Sequence, residues 1–135
     1  MKTLRDLKVS DAMAKKLEYV KPNARISEIL GSEHVYSLPV MENKDVNSFL
    51  GMLDYNRLME PNLDTNAEAK TFVMMPPVFE KEEPLLNILP FILQSKFRAV
   101  PIKSWGKIIG VVSTKDLAKI LATQQDFSNV KAKEI

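Results

Sequence analysis

The sequence predicts an α+β fold made of two β-α-β-β-α repeats, and an internal repeat is the first observation behind that prediction. Residues 37–60 and 98–121 share one order: an apolar strand containing proline, a polar turn, an apolar strand containing glycine, and a helix. The second observation is that a short apolar strand and a helical stretch precede each copy, which completes a unit with a small sheet and a helical layer. One unit alone is too small to bury a good core, so we expect the two repeats to pack together.

The elements of the first repeat follow from periodicity and turn residues. Ile26, Ile29 and Leu30 lie at i, i+3 and i+4, which predicts a short helix after the turn at Pro22. In chain order, the predicted elements are a strand at 17–20, a helix at 25–32, strands at 36–41 and 49–53 separated by a turn at 42–45, and a helix at 55–60.

The second repeat has the same order of elements. Leu85, Ile88 and Ile92 share one face of a helix that Pro84 opens. Pro90 removes a backbone donor inside that helix and predicts a bend. In chain order, the predicted elements are a strand at 78–79, the helix from residue 84, strands at 98–102 and 107–112 around a turn at 104–106, and a helix at 114–122.

Domain boundaries follow from the polar stretches. The segment between the repeats is polar and has no apolar period, which is typical of a linker. We therefore divide the chain into a first repeat at 1–62, a linker at 63–72, a second repeat at 73–124 and a polar tail at 125–135. The repeats differ in spacing, since the first has a helix about one turn shorter and a longer hairpin loop.

Composition narrows the class of function. The 135 residues include 19 basic and 17 acidic side chains, and a net charge of +2 argues against binding to nucleic acid. Cysteine is absent, which excludes disulfides, thiolate zinc sites and cysteine nucleophiles. No apolar stretch reaches the length of about 18 residues that a membrane helix requires. We expect a cytoplasmic protein without a membrane partner.

Catalysis is not expected. The sequence contains no nucleophile–base pair and no glycine-rich phosphate loop, and His34 is the only histidine. A lone histidine without cysteine partners makes a poor metal site, so we expect no metal requirement. Trp105 lies at the tip of the predicted hairpin, where it either marks an interface or packs on the turn.

The segment from Gly110 to Leu117 has two interpretations. Ser113 stands at the start of the last predicted helix, and Asp116 lies three residues later in its first turn. A helix N-terminus presents free N–H groups that suit a phosphate, and a carboxylate accepts hydrogen bonds from a ribose diol. The same spacing also forms a capping box, which needs no ligand.

The paired repeats resemble a tandem pair of CBS domains, the Bateman module. The likeness rests on the strands 38–40 (Leu-Pro-Val) and 100–102 (Val-Pro-Ile), on the segment 110–117, and on residues 9–13, which resemble the usual entry to the first domain. It covers about residues 9–122. The family implies two units packed sheet to sheet about a pseudo-twofold axis, with clefts that bind adenosine compounds.

The resemblance implies a set of ligand-binding residues. Ser113 or Thr114 would hold phosphate and Asp116 the ribose. Five other residues would bracket the base: Pro77, Val78, Arg98, Ala99 and Pro101. The first repeat departs from this pattern, because Asp54 and Arg57 replace Ser113 and Asp116. Asp54 can still cap a helix. Arg57 is either a solvated helix residue or binds a phosphate that reaches over from the other cleft. We therefore predict one competent cleft.

The predicted function is that of a stand-alone regulatory sensor. Its expected ligand is AMP, ADP or ATP, with S-adenosylmethionine as a further candidate, and the resemblance implies a homodimer that signals to an effector protein. The alternative is a ligand-free module for protein–protein interaction or dimerisation, in which Ser113 and Asp116 form only a helix cap.

Overall fold

The computed structural model describes residues 3–14, 16–31, 37–94 and 98–123. Within these ranges the five helices are α1 Val9–Ala12, α2 Ile26–Leu30, α3 Tyr55–Leu58, α4 Leu89–Gln94 and α5 Thr114–Thr123. The five strands in the same ranges are β1 Ser37–Met41, β2 Phe49–Asp54, β3 Phe79–Glu80, β4 Ala99–Ser104 and β5 Lys107–Ser113. Short 3₁₀ turns add Leu4–Asp6, Val46–Ser48, Ala69–Phe72 and Leu85–Asn87. The predicted α+β class is confirmed. His34 and the tail at 125–135 lie outside the described residues.

Two small sheets repeat the same pairing. In the second repeat β4 pairs antiparallel with β5 and parallel with β3. In the first repeat β1 pairs antiparallel with β2, and the place of β3 is taken by a single parallel bridge between Val20 and Val40. The N–H of Val20 donates to Pro39 O at 3.0 Å, and Met41 N–H donates to Val20 O at 3.0 Å. The strand predicted at 17–20 is therefore reduced to one residue that bonds as a strand does.

The sequence predicted that Pro90 bends one continuous helix, but the structure shows no such helix. The segment instead divides into a 3₁₀ turn at Leu85–Asn87 and the helix α4, which begins at Leu89. Pro90 is thus the second residue of α4, in a first turn whose N–H groups have no intrahelical acceptor in any case. Leu85, Ile88 and Ile92 are buried as the periodicity predicted.

The hairpin turns differ between the repeats as the spacing predicted. Trp105 and Gly106 connect β4 to β5 and have φ of 53° and 73°. Two positive φ values suit a two-residue turn that matches the right-handed twist of a hairpin. The first repeat uses a longer connection, where the 3₁₀ turn Val46–Ser48 begins with Asp45 accepting from Asn47 N–H at 2.8 Å.

Each repeat completes its core with a segment that lies outside its own predicted boundaries. Val9 and Ala12 of α1 are buried with Leu85, Val100 and Leu117 in the second repeat. Ala69, in the segment predicted as a linker, is fully buried in the core of the first repeat. Its N–H donates to Ala24 O at 2.7 Å. The two cores therefore do not follow the divisions at 1–62 and 63–72.

A third apolar cluster joins the two sheets. Met41, Phe49 and Met52 of the first sheet pack with Ala99 and Ile108 of the second. Backbone bonds reinforce this junction, since Val46 N–H donates to Gly106 O at 2.9 Å and Ile108 N–H donates to Lys44 O at 2.7 Å. The repeats therefore form one packed body, which brings the end of β5 near the start of β1.

Candidate functional site

A cavity of about 330 Å³ lies between the repeats at the N-terminal end of α5. The residues that line it come from the segment after α1, the start of β1, the start of β4, and the β5–α5 junction. They are Ala14, Lys16, Leu17, Glu18, Ser37, Leu38, Arg98, Ala99, Val111, Ser113, Thr114, Lys115, Asp116 and Lys119. Both repeats thus contribute to the cavity.

The β5–α5 junction contains a complete capping box. Asp116 Oδ2 accepts from the N–H and from the hydroxyl of Ser113, both at 2.9 Å. Ser113 Oγ in turn accepts from Asp116 N–H at 3.1 Å. These bonds satisfy backbone donors at the helix start. Within the described residues Asp116 Oδ1 makes no hydrogen bond, so one carboxylate oxygen remains available at the cavity.

Thr114 connects this junction to the start of β4. Its N–H donates to the carbonyl oxygen of Arg98 at 2.9 Å, and its hydroxyl donates to the same oxygen at 3.1 Å. Arg98 is therefore fixed at its backbone while it lines the cavity.

The structure brings together five of the residues that the sequence predicted for the site. Ser113, Thr114, Asp116, Arg98 and Ala99 all line the cavity.

Four predicted residues lie elsewhere: Pro77, Val78, Pro101 and Arg57 are not part of the lining. Pro101 is buried two residues farther along β4, Val78 packs in the cluster between the sheets, and Arg57 is exposed on α3.

Pro77 and Val78 lie outside the lining because the two repeats exchange segments. The start of the second repeat crosses to the first, where Met74 exchanges two backbone bonds with Met52 at 2.7 and 2.9 Å. The segment after α1 in the first repeat crosses to β5, where Ala14 N–H donates to Val111 O at 3.2 Å. Ala14 and residues 16–18 therefore line the cavity that contains Ser113, where the resemblance had implied Pro77 and Val78.

The glycine of each repeat allows this crossing. A Cβ at Gly51 would lie 2.7 Å from Met74 O, and a Cβ at Gly110 would overlap the side chain of Met13. Gly51 also has φ of 146°, which side chains rarely adopt. The repeated glycines were visible in the sequence, and they are the signal that could have shown where the leading segments lie.

The lining carries a positive formal charge. Its cationic side chains are Lys16, Arg98, Lys115 and Lys119, and its acidic side chains are Glu18 and Asp116, which leaves +2. Lys16 lies 3.9 Å from Glu18, and its side chain is 85% exposed, so this pair contributes little binding energy of its own. Sequence reasoning did not find Lys16, because only the fold places it beside α5.

The first repeat has a different helix start. Asp54 Oδ1 accepts from Asn56 N–H at 3.2 Å, which confirms its predicted role as a helix cap. The helix it caps, α3, is only four residues long. An acidic cap at this position would repel a phosphate.

The described residues include neither a metal-binding cluster nor a membrane-spanning helix. Within those ranges, no group of three or more His, Cys, Asp or Glu side chains is placed to hold a metal ion. None of the helices in the same ranges is long and apolar enough to cross a membrane.

Comparison with known proteins identifies the fold. No protein-family model matches the sequence, and no curated protein matches it significantly. Solved structures do match. The CBS domain of a bacterial CNNM/CorC-family Mg²⁺ transporter, in complex with ATP, has a TM-score of 0.73 at 15% identity over 86% of this chain and 87% of that one.

Two further CBS structures agree. The CBS-pair protein CBSX2 from Arabidopsis thaliana has a TM-score of 0.72 at 20% identity over 88% of this chain and 96% of that one. The CBS-domain protein ATU1752 from Agrobacterium tumefaciens has a TM-score of 0.68 at 18% identity over 83% and 91%. The protein is thus a two-repeat α+β module with a cavity between the repeats. More particularly, it has the fold of a tandem pair of CBS domains.

Proposed function

We propose that this protein is a regulatory module that binds an adenine nucleotide in the cavity between its repeats. The observation that carries the proposal is the cavity itself, which places a helix start, an acidic residue and several cations around one space. A volume of about 330 Å³ is within the range of small-molecule sites. A structural neighbour with the same fold is in complex with ATP, which supports the choice of ligand class.

Each group in the cavity suits one part of a nucleotide. The start of α5 suits phosphate oxygens, because a helix N-terminus attracts anions. The hydroxyls of Ser113 and Thr114 would join it once a phosphate displaces the bonds that they now donate to Asp116 and Arg98. Asp116 Oδ1 suits a ribose hydroxyl, since an ionised carboxylate only accepts hydrogen bonds. Leu17, Leu38 and Val111 give the apolar surface on which a base would lie.

Charge favours phosphate ligands over S-adenosylmethionine. The lining has two more cationic than acidic side chains, and a sulfonium cation gains nothing from that excess. We expect affinity to fall in the order ATP, ADP, AMP, S-adenosylmethionine, and to fall further as salt screens the exposed charges.

Isothermal titration with these four compounds tests the proposal. Asp116→Asn keeps an acceptor for the capping box but removes the carboxylate charge, so we expect weaker nucleotide binding with little loss of stability. Arg57→Ala is the matched control, because Arg57 is exposed and outside the lining. No heat with any of the four compounds, or equal affinity for Asp116→Asn and wild type, would refute the proposed site.

The second candidate is an interaction module that binds no small ligand. It is favoured by one observation, since the Ser113–Asp116 capping box is complete without a ligand. A thermal shift assay separates the candidates. A ligand at 100 times its dissociation constant raises the free energy of unfolding by about 2.7 kcal/mol, whereas the interaction module would show no shift with any nucleotide.

We further propose that the protein signals through a change in a homodimer and not through a catalysed reaction. The helical layers of both repeats leave apolar side chains exposed, among them Met59 at 62% and Leu93 at 69%. Such side chains suit a contact between two copies. A nucleotide would then regulate an effector protein by favouring one dimer arrangement over another. Sedimentation with and without ATP tests this, and a monomer at micromolar concentration in both states would refute it.

A further inference from the structure

Arg98 lines the cavity and also bonds to the first repeat through its guanidinium. Asn56 lies on α3, two residues after the cap Asp54. With its amide oxygen facing Arg98, Asn56 accepts from Arg98 Nη2 at 2.7 Å and from Nε at 3.1 Å. The opposite orientation would set amide N–H groups against guanidinium donors, so this orientation is the one that chemistry requires.

Arg98 is consequently held at both ends. Its carbonyl oxygen accepts two bonds from Thr114, at 2.9 and 3.1 Å, and its guanidinium donates two bonds to Asn56. A guanidinium has five N–H donors, so the two bonds to Asn56 leave three for a ligand. Among the described residues these three N–H donors have no partner, and Arg98 lines the cavity while two bonds to Asn56 hold its guanidinium.

We propose that Asn56 is a positioning residue that orients Arg98 toward the phosphate groups of the bound nucleotide. This inference rests on the proposed function of the cavity. A flexible arginine loses conformational entropy when it binds a ligand, and a side chain fixed beforehand avoids most of that loss. Because the preorganised fork of Arg98 matches phosphate oxygens, Asn56 affects phosphate binding without itself lining the cavity.

The inference gives the first repeat a role in the site of the second. In the repeat alignment Asn56 matches Lys115, which lines the cavity. The first repeat has lost the Ser and Asp of the motif, yet the start of its helix still contacts the ligand site through Arg98. A change in the packing of α3 would therefore alter nucleotide affinity.

Titration of ATP and adenosine into wild type, Asn56→Ala and Asn47→Ala tests the proposal. Asn47 is an exposed asparagine of the first repeat outside the cavity lining, so it serves as the matched control. We expect Asn56→Ala to weaken ATP binding by about 2- to 12-fold, the range for one side chain that must be ordered on binding. Adenosine affinity should stay unchanged, because adenosine has no phosphate for Arg98 to bind.

A second measurement follows Arg98 directly. The Arg98 Nε–H resonance in nuclear magnetic resonance spectra of the free protein should exchange faster with water in Asn56→Ala than in wild type. Unchanged ATP affinity, stronger ATP binding, or an equal loss for ATP and adenosine in Asn56→Ala would each overturn the positioning role. If wild type binds neither compound, the proposed function fails and the inference fails with it, whereas ATP binding without dependence on Asn56 overturns the inference alone.

Discussion

Gly51→Ala should be among the most destabilising small substitutions in this chain. Gly51 has φ of 146°, and a Cβ there would lie 2.7 Å from Met74 O and 3.1 Å from Val73 Cβ. A side chain in such a backbone region costs about 1–3 kcal/mol. Overlap with a backbone that is bonded to β2 adds about 1–3 kcal/mol. The expected loss is about 2–6 kcal/mol, a large part of the roughly 5–15 kcal/mol that stabilises a domain.

Two other glycines supply matched controls. Gly31 ends α2 with φ of −77°, and a Cβ there would meet only ordinary contacts at 3.6 Å. Gly31→Ala should be neutral or stabilise by up to about 1 kcal/mol. Gly106 has φ of 73° but nothing within 4 Å of a new Cβ. Gly106→Ala should therefore lower the free energy of unfolding only through backbone strain, by about 1–2 kcal/mol.

Urea denaturation, followed by far-ultraviolet circular dichroism, measures the free energy of unfolding of these three glycine variants and of the wild type. Trp105, the single tryptophan, is 95% exposed and so would be a poor fluorescence probe of unfolding. With a urea dependence of about 1–3 kcal/mol per molar, Gly51→Ala should lower the midpoint by roughly 1 M or more. A midpoint for Gly51→Ala equal to that of Gly106→Ala would refute the close crossing of the leading segment over β2.

Three further predictions concern the site and the N-terminal segment. Gly110→Ala should destabilise the protein less than Gly51→Ala, because the new Cβ meets the flexible side chain of Met13. In a double-mutant denaturation cycle, adding Met13→Ala should restore part of the lost free energy of unfolding. Ser113→Ala should lower the free energy of unfolding by about 1 kcal/mol without any ligand, measured by thermal denaturation, whereas no loss would show that the capping box contributes nothing. Lys8 lies 2.6 Å from Glu82, and its hydrogen bond and positive charge lower the pKa of that carboxyl. The stabilisation from this exposed pair is therefore present above the ordinary pKa of Glu82, and it is lost as the pH falls through the lowered pKa. Carboxyl resonances should show that Lys8→Gln returns the pKa of Glu82 to its ordinary range.

The sequence predicted the elements that depend on local chemistry. The periodicity of Leu85, Ile88 and Ile92 identified a buried helical face, and all three are buried. The spacing of Ser113 and Asp116 predicted a capping box, and the bonds are present. Such features are set within a few residues, so side-chain pattern alone determines them.

The structure differs from the sequence-based expectation where a long-range contact decides the arrangement. The resemblance implied that Pro77 and Val78 lie at the ligand, whereas Ala14 and residues 16–18 line the cavity. The segment predicted as a linker at 63–72 buries Ala69 in the first core. No local pattern reports which repeat a leading or connecting segment will join, since that depends on contacts far apart in the chain.

The sequence by itself determined that the chain has two unequal copies of one α+β unit and that only the second keeps Ser113 and Asp116 together. Tertiary structure decided which residues share the cavity with that motif. Lys16 is almost a hundred positions from Ser113, and Asn56 reaches Arg98 from the other repeat. The physical reason is that local order follows from short-range sterics and capping, whereas a site between repeats exists only once both apolar cores have formed and packed against each other.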